Sequence, residues 1–140
     1  MSSVASSSEH RRLGAQRKAA WMQSNAQRES ERAQILIDDF VVAASSAGLA
    51  PVKLQAKTMS GRVVKTNVRG WYIRNDHSVA IGTDGGYYQL VVFGGLMASL
   101  RGVELSPVPP PLVVGRGAKD GESGDLSDFL ARALAGQVIR

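Results

Sequence analysis

A chain of 140 residues with 44% hydrophobic and 21% charged residues has the size and make-up of one globular domain with a tail, which excludes most large catalytic architectures, a fibrous chain and wholesale disorder. The absence of cysteine excludes disulfide frameworks, thiolate chemistry, iron–sulfur clusters and cysteine-ligated zinc. A net charge of +5 favours an anionic partner, and where that charge sits says more than its sum.

Residues 1–12 read as a flexible, Ser-rich basic arm, because Ser2, Ser3, Ser6, Ser7 and Ser8 offer nothing to bury against the entropy of ordering. A single domain over residues 13–140 is expected to follow. No stretch approaches the roughly 18 uninterrupted apolar residues of a membrane helix. Residues 1–8 lack the apolar stretch of a secretory signal, so a cytoplasmic protein with no membrane partner is expected, an organelle transit peptide being the weaker alternative.

The first helix has an apolar stripe of Met22, Ala26, Ala33, Leu36, Ile37, Phe40, Ala44 and Ala47, mostly three or four apart and so on one face. Gly48 supplies its stop and Pro51 prevents resumption. Gly14 weakens the upstream part, and Ser24 with Gln27 could cap a second start, so one long helix or two short ones fit.

Between Arg62 and Phe93 the period changes to alternation, with Val, Thr, Tyr and Ile enriched, which predicts an antiparallel β-meander with strands at 62–74, 79–82 and 87–93. The polar break at Asn75, Asp76, His77 and Ser78 and the Asp84-Gly85 turn divide it. The stretch 87–93 is apolar on both faces and is the expected central strand. Gly94 and Gly95 open a short helical piece around Leu96, Met97 and Leu100, and Val103 to Leu105 add a short strand. Residues 106–111 then form a stiff Pro-rich connector, Leu112 to Val114 an edge strand, and 115–124 a Gly-rich loop. A last helix starts at Asp125 as N-cap, with Asp128 in its first turn and a stripe of Leu126, Phe129, Leu130, Ala133 and Leu134. The fold class is α+β: N-terminal helix, antiparallel meander of three to five strands, C-terminal helix closing the core.

The charge distribution singles out one segment. From Pro51 to Asn75 there are six cations (Lys53, Lys57, Arg62, Lys65, Arg69, Arg74) and no acid. Strand alternation turns Val64, Thr66, Val68 and Tyr72 to the core and Lys65, Asn67, Arg69 and Trp71 outward together. Cations interleaved with an aromatic form the surface on which a sheet binds single-stranded nucleic acid, phosphates on the cations and a base on the ring. Arg62 and Arg74 at the strand ends, with Lys53 and Lys57 before it, widen the patch. A bulge at Gly70 would move Trp71 to the other face, and a merely solvated charged face would look the same in sequence.

Other constellations fail tests of spacing. The loop from Gly115 to Gly124 lacks a Gly-Lys-Ser/Thr, and Asp120, Glu122, Asp125 and Asp128 would repel a phosphate at the helix start. Asp76, His77 and Ser78 hold the residue types of a hydrolytic triad, but neighbours in a hairpin cannot form its hydrogen-bond chain. His10 and His77 are too separated to make a metal site, and Asp38 and Asp39 point about 100° apart on a helix, better suited to pairing with the basic segment. The basic stretch His10, Arg11, Arg12, Arg17 and Lys18 beside Trp21 and Met22 could meet nucleic acid, a membrane surface or a partner groove. The expectation is a non-catalytic protein, without metal or cofactor, whose basic sheet face engages nucleic acid, RNA or single strands rather than duplex DNA. The alternative is a protein–protein interaction or assembly subunit, including self-association, that uses the N-terminal helix and the Pro-rich connector.

Overall fold

The computed structural model describes residues 2–93, 100–115 and 123–138. The helical piece expected around Leu96 and most of the Gly-rich loop lie outside the described residues.

Helix α1 is one continuous element, Ser2–Ser46, so neither Gly14 nor the Ser24 cap signal divides it. It stops where the sequence puts its stop: Gly48 turns left-handed at φ 72°, and the Leu49 N–H reaches back to the Ala44 carbonyl at 2.9 Å. Only the second half packs. Ala33, Ile37, Phe40 and Ala44 are buried, whereas residues 9–24 are all exposed. The helix therefore runs on through the stretch expected as an arm, where residues 9–12 are exposed.

Strands β1 (Val52–Thr58), β2 (Val63–Tyr72), β3 (Val79–Gly82), β4 (Tyr87–Gln89) and β5 (Val91–Val92) form a mixed sheet in the order β4-β3-β2-β1-β5. The α+β class thus holds, with one parallel pair, β1 with β5. β4 and β5 are successive parts of one stretch, parted only by Leu90. The Leu90 N–H bonds to the Ser78 carbonyl at 2.8 Å, while its own carbonyl accepts from the Lys57 N–H at 2.7 Å. The sheet therefore closes on itself in the manner of a small barrel, and the expected central strand is instead the seam between its two ends.

Closure explains why 87–93 is apolar on both sides. Even positions turn inward: Leu54, Ala56, Val64, Val68, Tyr72, Ala80, Tyr88 and Leu90 form one core inside the closed sheet. Odd positions turn outward: Trp71, Ile73, Val79, Ile81 and Tyr87 form a second core under α1 and the C-terminal helix. Burial pushes the phenols of Tyr87 and Tyr88 up to about 12, and for Tyr88 the Asp84 carboxylate, accepting its hydroxyl at 2.6 Å, adds to the effect.

The register of β1 against β2 shifts between Lys53 and Gln55. A shift of this kind leaves backbone groups without ladder partners. Two interior side chains satisfy them: the Tyr72 hydroxyl accepts from the Gln55 N–H at 2.8 Å, and the Thr66 hydroxyl donates to the Leu54 carbonyl at 2.7 Å. The part of β2 that β3 does not reach is edged by Val103, whose N–H bonds the Lys65 carbonyl at 2.8 Å.

Gly70 and Gly82 face each other across β2 and β3, and a Cβ on Gly70 would meet the Ile81 carbonyl oxygen, a backbone atom that cannot swing aside. Gly70→Ala should cost about 3 kcal/mol or more, as overpacking against a rigid neighbour does. Urea unfolding of the variant measures it, and a midpoint equal to that of the parent would refute this reading of the crossing.

The Pro-rich connector lies along the outside, where Val108 bonds to the Tyr87 carbonyl at 2.9 Å. A separate ladder, β6 (Val113–Val114) with β7 (Gly124–Asp125), leads into α2 (Leu126–Leu134). Helix α2 buries Leu126, Phe129, Leu130 and Ala133 as its stripe predicts. Asp125 occupies the N-cap position, with its backbone paired in β7, and makes no side-chain cap bond.

Candidate nucleic-acid interface

The outer face of the closed sheet is covered only in part. α1 and α2 lie over the end of β2 and over β3 and β4, leaving bare the outer face of β1 and the first part of β2. On that bare area the alternation places Lys53, Gln55 and Lys57 from β1 and Val63, Lys65, Asn67 and Arg69 from β2, all exposed. Four of the cations expected at the site, Lys53, Lys57, Lys65 and Arg69, are thus brought to one surface.

The electrostatics of that surface are unfavourable in the absence of an anion. Lys53 and Arg69 are direct cross-strand partners, and like charges placed opposite each other destabilise a sheet. Among the described residues neither forms an ion pair, and the Arg69 guanidinium makes only a 3.3 Å contact to the Pro51 carbonyl. Lys57 lies between exposed Val63 and Val91, its ladder neighbours on either side. Beside Lys65 a shallow groove is lined by Asn67, Arg101, Gly102 and Glu104, so the Glu104 carboxylate borders the patch there, and Asp76 is within electrostatic reach of Lys57. Asn67 is partly committed, since its side-chain oxygen accepts from the Leu105 N–H at 2.7 Å.

Trp71 has the expected parity, on the same side as Lys65, Asn67 and Arg69, yet it is only 5% exposed. α1 crosses over this end of β2: the indole meets Phe40 edge-on at 5.6 Å between centroids, and its N–H donates to the Leu49 carbonyl at 2.8 Å. It is a core residue and no base can reach its ring. Gly70 introduces no bulge, the ladder running regularly from Gly70 through Tyr72.

Arg74 also leaves the patch. Beyond Tyr72 the strand ends, and the guanidinium folds back to 8% exposure, bonding the Ser78 hydroxyl at 3.3 Å and pairing with Asp76 at 3.7 Å. Burial alone would raise the Asp76 carboxyl, but the Ser78 hydroxyl and N–H donate to it, and with the charges of Arg74 and Lys57 they hold it below its ordinary value. His77, left-handed at φ 59°, stacks on Tyr72 with centroids 3.9 Å apart. Asp76, His77 and Ser78 are therefore turn residues. Arg62 is exposed in the tight turn between β1 and β2, at the margin of the patch. Asp38 accepts from the Gln34 side chain of its own helix at 2.9 Å, so it is held within α1.

An aromatic group does flank the bare face, and sequence reasoning passed over it. Phe93, the next alternating position after Val91, is 89% exposed. Its signal is the apolar run 87–93 itself, but only the closure of the sheet makes β5 the neighbour of β1. The chain and its fold match no known family, no curated protein and no solved structure.

Proposed function

We propose that the protein binds single-stranded nucleic acid, RNA in the first instance, on the outer face of β1 and β2. The observation that carries this reading is the opposed pair Lys53 and Arg69, flanked by Lys57 and Lys65, with no carboxylate paired to Lys53, Lys65 or Arg69 among the described residues. Such a pair costs stability unless an anion bridges it, and a phosphodiester bridges two cations without needing their removal from water. Exposed Val63, Val91 and Phe93 beside Lys57 supply apolar surface, and Phe93 the ring, for an unpaired base to stack at about 1–3 kcal/mol. The face is a shallow barrel wall with no helix aimed away from it, so it suits a flexible strand better than a duplex groove.

Titrating a short fluorescent RNA at a series of salt concentrations tests the reading. With four phosphates engaged, log affinity should fall against log salt with a slope of about −3, from roughly −0.7 for each contact. Affinity that is absent, or indifferent to salt, would refute it.

A further inference from the structure

The exposed half of α1 raises a separate question, because an unsupported helix is marginal in water and draws its stability from packing. Residues 9–24 are all exposed, and only Trp21, Met22 and Gln23 at their end border grooves shared with Pro109, Pro110 and Leu112. On the face of α1 opposite Ala33, Ile37, Phe40 and Ala44, turning about 100° per residue gathers Leu13, Trp21, Ile35 and Val42 into an arc of roughly 80°. Those four are 49%, 66%, 62% and 66% exposed and share the arc with Arg17, Arg28, Glu31 and Asp39, a mixed apolar and charged stripe left open among the described residues.

The charges along the helix say what fits there. Its first part carries Arg11, Arg12, Arg17 and Lys18 with Glu9, and its last part carries Glu29, Glu31, Asp38 and Asp39 with Arg28 and Arg32 among them. A helix that is basic at one end and acidic at the other complements itself when reversed. We propose that α1 is the interface of a homodimer, two copies packing back to back and antiparallel about a twofold axis near Arg28.

The spacing agrees with this occupant at each point where it can be checked. In that register Trp21 faces Ile35 of the second copy, Arg17 faces Asp39, and Leu13 lies beside Val42 and Ala43. Trp21, Ile35 and Val42 are all well exposed, Trp21 on the flank of α1 where it borders a groove with Leu112, so they stay accessible to a second copy. Residues 10–46 overlap along about 55 Å, at 1.5 Å per residue. With a helix about 10 Å wide, the strip covers about 550 Å², roughly two thirds of the 800 Å² or so per partner of a standard interface, which suits a dimer that dissociates on dilution. Arg28 meets its own copy on the axis, a like-charge contact that Glu31, one turn along the opposite helix, offsets. The twofold arrangement is closed, so it yields dimers and no larger chain of copies.

Sedimentation equilibrium of the full chain over a micromolar dilution series should show a mass rising from 14.9 kDa to about twice that value. Trp21→Lys with Ile35→Glu should give a monomer at every concentration, with circular dichroism reporting that the domain stays folded. Arg17→Asp should weaken the dimer at least tenfold, and adding Asp39→Arg in the same chain should restore it, which a parallel pairing would not allow. A parent chain that is monomeric throughout would overturn the proposal, and so would a dimer indifferent to Trp21 and Ile35. A monomer whose helix is completed only by a different protein or by lipid vesicles would overturn it as well.

Discussion

Trp71→Ala is expected to destabilise the protein by about 3–5 kcal/mol, the range for deleting a buried aromatic side chain. The indole fills the junction of α1 with the closed sheet, edge-on to Phe40, and its N–H is the partner of the Leu49 carbonyl where the chain leaves α1. Truncation leaves a cavity and an unpaired carbonyl in the same place, and each adds to the loss. Oligonucleotide affinity measured on the folded protein, at low temperature, should stay within about twofold of the parent. Unchanged stability with lost binding would reverse the roles assigned here, returning Trp71 to the surface and to the ligand.

Arg69→Glu should do the opposite on both counts. Losing one charge-assisted phosphate contact costs about 1.5–3 kcal/mol of binding, which is roughly 10- to 150-fold in affinity. Stability should rise by roughly 0.2–1 kcal/mol, because the glutamate then faces Lys53 and an opposed like-charge pair becomes an opposite-charge one. Adding Lys53→Glu recreates the repulsion with negative sign, so the double variant should lose the stability gained and bind no better than the single one. Thermal unfolding and the salt titration read the two effects separately. A fall in stability for Arg69→Glu alone would contradict the electrostatic account of the pair.

Period and charge made part of this legible in the sequence. Alternation in β2 correctly separates Val64, Thr66 and Val68 inside from Lys65, Asn67 and Arg69 outside, because each side chain in a strand is committed to one face. The same alternation puts Trp71 with the cations and is right about the face. It cannot say that α1 covers one end of that face and leaves the other bare, since coverage is set by how the helix docks and not by period. Arg74 departs for a related reason: the expected strand runs to residue 74 and puts it at the strand end, but β2 ends at Tyr72 and the guanidinium turns back to Ser78 and Asp76.

β1 was not recognised as a strand at all, although Leu54 and Ala56 alternate with Lys53, Gln55 and Lys57. With small Ala56 and a register shift after Lys53, its pattern is weak, yet it provides half of the proposed surface. The segment 87–93 was read from its two-sided hydrophobicity as a central strand between helices. The closed sheet satisfies the same pattern differently, with Tyr88 and Leu90 inside the closed sheet and Tyr87 under the helices. Closure depends on two long-range pairings of a single stretch, β4 with β3 and β5 with β1, and no local periodicity encodes that.

The surface itself can be located residue by residue by following backbone amide resonances while a single-stranded RNA is added. The perturbations should gather at Lys53, Lys57, Lys65, Asn67, Arg69, Val91 and Phe93 and leave α1 unmoved. Perturbations confined to the basic turns of α1 around Arg11 to Lys18, with β1 and β2 silent, would contradict the assignment of the bare sheet face as the binding surface.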